Sequence, residues 1–282
     1  MAWREVPVSL VVRQMAQPLH VASALVAALL SAGQEDVALD LYCIYRRRHV
    51  AILHRLIDSV PIARARLWSL DQVDAQLSDS TVGVGPGTRT ELLNQLSYSE
   101  EGTDRWLLIT DDDVRLPRGQ LRRFLRLAVQ AALDVSQPAH LPRSYANWKF
   151  NRQRLIPLVR STRFVEQGPM VLLSPKARRA CLPFPEELGM GWGLEAHFAT
   201  AADASLRLGI VDAVGMRHLS PVADSYDRET SDETGRKALD QAGFAYYADM
   251  QVVVATWPFW RRRPPWNPGG GSFAAGSLNF PS

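Results

Sequence analysis

The chain has 282 residues, 46% of them hydrophobic, with a formal net charge of +3 at pH 7, which is enough apolar content for one large domain or two small ones. The near-neutral balance, without a basic stripe interleaved with aromatics, argues against a nucleic-acid partner. No apolar stretch is long enough to span a bilayer, and the start Met1-Ala2-Trp3-Arg4-Glu5 has no basic region followed by an apolar one, so a cytoplasmic protein is expected.

The first elements alternate. A strand is expected at Val8 to Val12, a helix from Leu19 to Ala32 closed by Gly33, a strand at Val37 to Tyr45, a helix at His49 to Asp58 and a third strand at Ile62 to Leu70. This β-α-β-α-β order predicts a mainly parallel sheet with helices on both faces. Cys43 and Cys181 lie far apart in apolar surroundings without Cys-x-x-Cys spacing, and both read as buried, reduced thiols. Val82 to Gly87 carries three glycines and a proline and reads as a turn. Thr88-Arg89-Thr90-Glu91 then supplies a capping box that puts Arg89 in the first turn of a helix, where free backbone donors attract anions.

Residues 105 to 110 read as a largely apolar strand that runs into Asp111-Asp112-Asp113. Three adjacent carboxylates repel one another unless a cation or basic side chains neutralise them, and such clusters suit hard divalent ions such as magnesium or manganese. With 18 aspartates in the chain, about one Asp-x-Asp arises by chance, so the setting carries the weight. Ligand sites of open α/β sheets lie at carboxyl ends of strands, where this triplet falls. The 29 arginines among 32 basic residues also favour phosphate, the arginine fork being a bidentate partner for it.

Beyond the triplet, Pro117 opens a helix to about Leu133, with Leu121, Phe124, Leu125 and Ala128 on one face. Residues 136 to 162 mix prolines, aromatics and basic side chains and read as a strand pair or a mobile loop. Phe164 to Leu173 reads as a strand, and Ser174-Pro175 caps a short helix. Gly189, Gly191 and Gly193 permit unusual backbone angles and present Trp192 and Glu195 at a loop-to-helix junction. Leu206 to Val214 reads as a late strand leading to Met216-Arg217-His218, and residues 222 to 240 as a polar loop and helix. Trp257, Trp260 and Trp266 with Arg261 to Arg263 belong to a tail, 251–282, whose aromatic and basic mix suits packing on the domain or, less favoured, a membrane surface.

Taken together, the β-α-β start, the helix opened by Thr88 and Arg89, the Asp111 to Asp113 motif and Gly191-Trp192-Gly193-Leu194-Glu195 resemble GT-A fold glycosyltransferases, especially the inverting family 2 type. The likeness spans roughly residues 6 to 220. It implies an α/β fold, a Rossmann-like sandwich with a mainly parallel sheet flanked by helices, forming one domain over 1–250 with a donor half to about 115 and an acceptor half from 116. It also implies a UDP- or GDP-sugar donor, a small-molecule, glycan or lipid-linked acceptor, and manganese or magnesium. Asp113 would bind the metal, with Asp111 and His218 as further ligands. Arg13, Arg89, Asp111, Asp112 and Trp192 would contact the donor or its sugar, and Glu195 would act as general base.

Three features depart from that family's pattern. Arg13-Gln14-Met15 replaces a small polar turn, and Tyr45-Arg46-Arg47-Arg48 stands where a base-recognising aspartate is usual, so that Arg13 or Arg46 would face phosphate. Ala196 follows Glu195 where a second carboxylate is common. Two other readings remain open: a nucleotide-sugar-binding protein without turnover, and a sugar-phosphate nucleotidyltransferase, although Val12 to Pro18 has no glycine for the phosphate loop the latter needs.

Overall fold

Strand β1 (Leu39–Tyr45) shows how the sheet is covered on both sides. Leu39, Leu41, Cys43 and Tyr45 enter one core cluster, and Tyr42 enters another, as period-2 alternation demands. The computed structural model describes residues 21–23, 25–30, 36–97, 104–203, 205–221 and 226–266. The strand expected at Val8 to Val12, with Arg13 at its end, lies outside them. The expected early helix is helical at 21–23 and 25–30, and its Ala27 is buried in the first cluster.

The remaining strands are β2 (Arg64–Ser69), β3 (Thr81–Val84), β4 (Trp106–Asp111), β5 (Val114–Arg115), β6 (Val135–His140), β7 (Pro157–Thr162), β8 (Met170–Leu173), β9 (Leu208–His218) and β10 (Val253–Pro258). Their order is β10-β7-β9-β6-β8-β4-β1-β2-β3, with β5 paired to β9. Strands β1 to β4 are mutually parallel, β6 runs parallel to β9, and β8 and β7 are reversed. One face carries α1 (Val50–Ile57) and α3 (Gln120–Gln130); the other carries α2 (Arg89–Ser97), α4 (Pro175–Cys181) and α5 (Leu194–Asp203). Helices α6 (Arg228–Gln241) and α7 (Tyr247–Met250) close a third, smaller cluster with Phe164 and Trp148. The expected α/β sandwich with a mostly parallel sheet is therefore the observed architecture.

Differences from expectation have local causes. The turn expected at Val82 to Gly87 begins as edge strand β3, and Gly83 has no side chain because the Trp68 indole occupies that space, 2.2 Å from where a Cβ would lie. Residues 136 to 162 hold two strands, β6 and β7, that flank β9 instead of pairing with each other. Strand β6 is buried along its whole length, so its sequence shows no alternation, and Pro138 sits where the pairing with β9 shifts register. The strand expected from Phe164 shortens to Met170–Leu173, because Glu166 and Gln167 leave the sheet and turn to other partners. Cys43 and Cys181 are free and buried in opposite core clusters, and burial pushes the Cys181 thiol up to about 12.

The segment after residue 250 contributes to the sheet. Strand β10 pairs antiparallel with β7, Trp257 is fully buried, and Trp266 Nε1 donates to Ala131 O at 2.8 Å. Trp257→Ala is therefore expected to lower unfolding free energy by about 3–5 kcal/mol in urea denaturation; a loss below about 1 kcal/mol would show that the segment is not part of the core.

Candidate active site

The carboxyl ends of β1, β4 and β9 open into a cleft of about 1240 Å³, its open mouth included, at the edge where open α/β sheets bind ligands. The acidic triplet lies at its floor, and each carboxylate there meets a different partner. Asp111, on the last residue of β4, receives a hydrogen bond from Arg89 Nη1. Asp112 turns to the exit of β1, accepting from Arg46 N at 2.6 Å and pairing with His49 Nδ1 at 3.1 Å. Asp113 accepts from Ser220 N at 2.8 Å and lies 3.2 Å from His218 Nε2.

His218 reaches this place through strand pairing. β5 immediately follows the triplet, and Val114 pairs with His218 at the end of β9. His218 Nε2 is also 4.0 Å from Asp111 Oδ2. Burial opposes the charge on Asp113, yet hydrogen bonds from His218 and Ser220 hold its carboxyl down at about 2. Ligand atoms of Asp111, Asp113 and His218 all lie within 4.8 Å of one another. Two carboxylates and one imidazole form a donor set that suits manganese, and magnesium less closely because it favours oxygen alone.

Glu195 occupies the first turn of α5 and lines the same cleft. Its carboxylate accepts from Gly193 N at 3.2 Å and Gln167 N at 3.4 Å. Burial raises it from the ordinary 4.5 to about 7, with the neighbouring Glu166 adding to the rise and the backbone donors opposing it. The preceding glycines are required by geometry. Gly191 has φ +91°, and a Cβ there would stand 2.9 Å from Gln167 Oε1; Gly193 has φ +101° and Ala238 in its way at 2.6 Å. Trp192 between them is half-buried, donates through Nε1 to Tyr226 OH at 3.0 Å, and has Arg228 5.9 Å from its ring centroid.

Arg89 connects the two carboxylate groups. Besides Asp111 it donates through Nε to Gln167 Oε1 at 2.8 Å, and its Nη2 is buried without a partner among the described residues, a spare donor on the cleft wall. Backbone donors expected to be free at the start of α2 are in part already used: Glu91 accepts from Thr88 N at 3.3 Å, and Thr90 N donates to Gly189 O at 2.9 Å. The second contact pins the glycine loop against α2. Arg46 and Arg48 line the cleft near the β1 exit, while Arg13 lies outside the described residues.

Several lining residues escape sequence reasoning, among them His49, Trp148, Glu166, Gln167 and Tyr226. Glu166 is buried, accepts from Asn151 Nδ2 at 2.7 Å and lies 3.6 Å from His140 Nε2. Its only signal in the sequence is a carboxylate followed by Gln-Gly-Pro, a pattern that also describes an ordinary turn.

Neither a protein-family model nor a curated protein sequence matches the chain. Solved structures do match its fold. GalNAc-T7, crystallised with UDP, GalNAc and Mn2+, aligns with TM-score 0.55 and 7% identity over 74% of this chain and 48% of that chain. Residues 1–349 of S. aureus TarS with UDP-GlcNAc align at 0.51 and 12% identity over 72% and 66% respectively. A further S. aureus TarS structure aligns at 0.50 and 12%, over 72% of this chain and 39% of that chain. The fold is thus the GT-A fold of nucleotide-sugar glycosyltransferases. This chain spans about half the length of the GalNAc-T7 chain.

The three aspartates differ in partner, and this is measurable. Asp113→Asn is expected to weaken manganese binding at least about 100-fold, more than losing an outer hydrogen-bond partner costs a metal site. Asp112→Asn should leave it within a few-fold. Electron paramagnetic resonance of free manganese in titrations distinguishes these, and equal losses in both variants would contradict the assignment.

Proposed function

We propose that this protein is a metal-dependent glycosyltransferase that moves a sugar from a nucleoside-diphosphate donor, UDP- or GDP-linked, to an acceptor hydroxyl with inversion. The observation that carries the reading is one cleft of a GT-A fold lined by both the Asp111, Asp113 and His218 cluster and a buried glutamate raised to about 7. Residues to about 115 form the donor half and 116–250 the acceptor half.

Glu195 is the general base in this reading. A carboxyl near 7 is half ionised at neutral pH and strong enough to take the acceptor proton as the hydroxyl attacks. The hydrogen bonds from Gly193 N and Gln167 N fix its oxygens, so the base is oriented before substrate arrives. Asp111, Asp113 and His218 would hold a divalent ion, which would supply positive charge to offset that of the diphosphate leaving group. Arg89 Nη2, Arg46 and Arg48 are the chain's own donors for phosphate oxygens. Asp112 acts on the donor side by holding the Arg46 and His49 turn in place. Trp192 forms a wall for a sugar ring. With Glu195 as base and no covalent enzyme intermediate invoked, this reading is a single displacement from the face opposite the diphosphate, with inversion.

Glu195→Gln is expected to lower kcat by about 10²–10⁴-fold, with manganese and UDP affinity unchanged by calorimetry. Turnover retained in this variant would move the base elsewhere, and absence of turnover with every nucleotide sugar in the wild type would favour a binding protein. Wild-type kcat/KM should rise with pH to a plateau above about 7, following ionisation of Glu195.

The same shift affects stability. The folded carboxyl at about 7 binds its proton more tightly than the unfolded one near 4.5, so this group's contribution falls as pH rises from 4.5 to 7. Glu195→Gln should therefore be more stable than wild type at pH 8 in thermal unfolding, with the difference vanishing below pH 4.5. An equal difference at both pH values would show that burial does not strain this carboxylate.

A further inference from the structure

The two sides of the cleft differ in chemistry. On the donor side, to residue 113, the described lining residues include Arg46, Arg48, His49 and Arg89 and no Phe, Tyr or Trp. Among the described lining residues from 145 onward there is no Arg or Lys, and the one basic group, His218, is committed to the aspartates. That side instead presents five aromatic rings, Tyr145, Trp148, Trp192, Tyr226 and Tyr247, and two buried carboxylates, Glu166 and Glu195.

Unused polar atoms lie on the same side. The Glu166 carboxylate takes its hydrogen bond from Asn151 on Oε2, and Oε1 receives none among the described residues. Gln167 Nε2 is buried without a partner among the described residues. Buried polar atoms without partners are rare and call for a ligand or water. Aromatic faces covering apolar ring surfaces, beside acceptors and donors in the same wall, match the alternation of C–H faces and hydroxyls on a pyranose.

We propose that the acceptor side binds a saccharide that is uncharged or amine-bearing at its reacting end, and that Glu166 is the residue that rejects anionic sugars. This rests on the reading of the Asp111, Asp113 and His218 side as the donor side. Like charges brought together in a dry site are disfavoured, so a phosphate or carboxylate on the acceptor ring would face Glu166 and Glu195 with no arginine or lysine among the described residues lining that side to answer it. A hydroxyl or ammonium would instead donate to Glu166 Oε1. Glu166 acts here as a specificity residue, its carboxylate held in position by Asn151, with His140 Nε2 3.6 Å away.

Tryptophan fluorescence tests this, because Trp148 and Trp192 line the site. Methyl β-glucoside, glucosamine, glucuronic acid and glucose 6-phosphate are titrated separately at pH 8, with manganese and UDP binding measured independently by calorimetry. The two non-anionic sugars should bind, and the two anionic ones at least about tenfold more weakly. In Glu166→Gln that ratio should shrink about tenfold, while manganese and UDP affinity and the melting temperature stay unchanged. Tyr145→Ala, altering a ring 47% exposed, should weaken all saccharide binding several-fold without affecting stability, which guards against misfolding of the buried variant. Anionic sugars binding as well as neutral ones, an unchanged ratio in Glu166→Gln, or no saccharide bound up to about 100 mM, far beyond an ordinary weak site, would each overturn the proposal. Loss of manganese and UDP binding with saccharide binding intact would instead overturn the donor assignment alone.

Discussion

Three consecutive carboxylates at the end of a central strand create the constraint around which the donor side is organised. Two unit charges about 4 Å apart repel by about 4 kcal/mol at an effective dielectric near 20, so three in succession need separate answers. Each receives one from a different part of the chain: Asp111 from Arg89 on α2, Asp112 from the backbone and His49 after β1, and Asp113 from His218 and Ser220 after β9. The neutralising contacts are at the same time the tethers that draw these three segments to one cleft. Electrostatics and architecture are the same interactions here.

Much of this is visible in the sequence where the chemistry is local. The apolar run into Asp111, the helix start at Thr88 and Arg89, the Ser174 cap and the glycine-framed Trp192 depend on neighbours a few residues away, and short-range pattern reports them. His218 is legible as a strand-end histidine, but its pairing with Val114 is not, since register between distant strands leaves no local mark. Strand β6 fails for another reason. Buried on both faces, it carries Ser136, Gln137 and His140 inside the protein, and its polar residues are accommodated by contacts such as Glu166 N donating to Gln137 Oε1 at 2.6 Å. Period and composition both mislead there. The same contact explains why Glu166 escapes notice: its role comes from Asn151, His140 and Gln137, all from other elements.

The two acceptor-side glutamates illustrate how environment separates chemically identical groups. Glu195 sits at the start of α5, both oxygens bound by backbone N–H groups, and burial still raises it to about 7. Glu166 lies on a loop between strands, its Oε2 held by Asn151 and its Oε1 receiving no hydrogen bond among the described residues. Fixed backbone donors suit a base that must keep one orientation through a proton transfer, whereas a free oxygen suits recognition. Proximity also couples them, since the charge on Glu166 contributes to the rise of Glu195. The raised carboxyl of Glu195 is thus in part a product of Glu166, its neighbour in the cleft.

Arg89 and Gln167 complete the arrangement by forming the wall between donor and acceptor sides. Arg89 donates to Asp111 and to Gln167 Oε1, and the backbone N–H of Gln167 donates to Glu195. Gly191 must lack a side chain for this wall to close, because a Cβ would press on both Gln167 and Arg89. The glycine loop is in turn fixed to α2 through Thr90 and Gly189. A continuous path of direct contacts therefore runs from Asp111 to Glu195, the proposed metal ligand and the proposed base. Pre-organisation of this kind matters because a transferase must bring a phosphate-bearing group and a proton acceptor to opposite sides of one carbon, and misplacement of either by about 1 Å costs on the order of 10²-fold in rate. Both positions rest on one arginine and one glutamine, which is the pre-organisation that the proposed transfer requires.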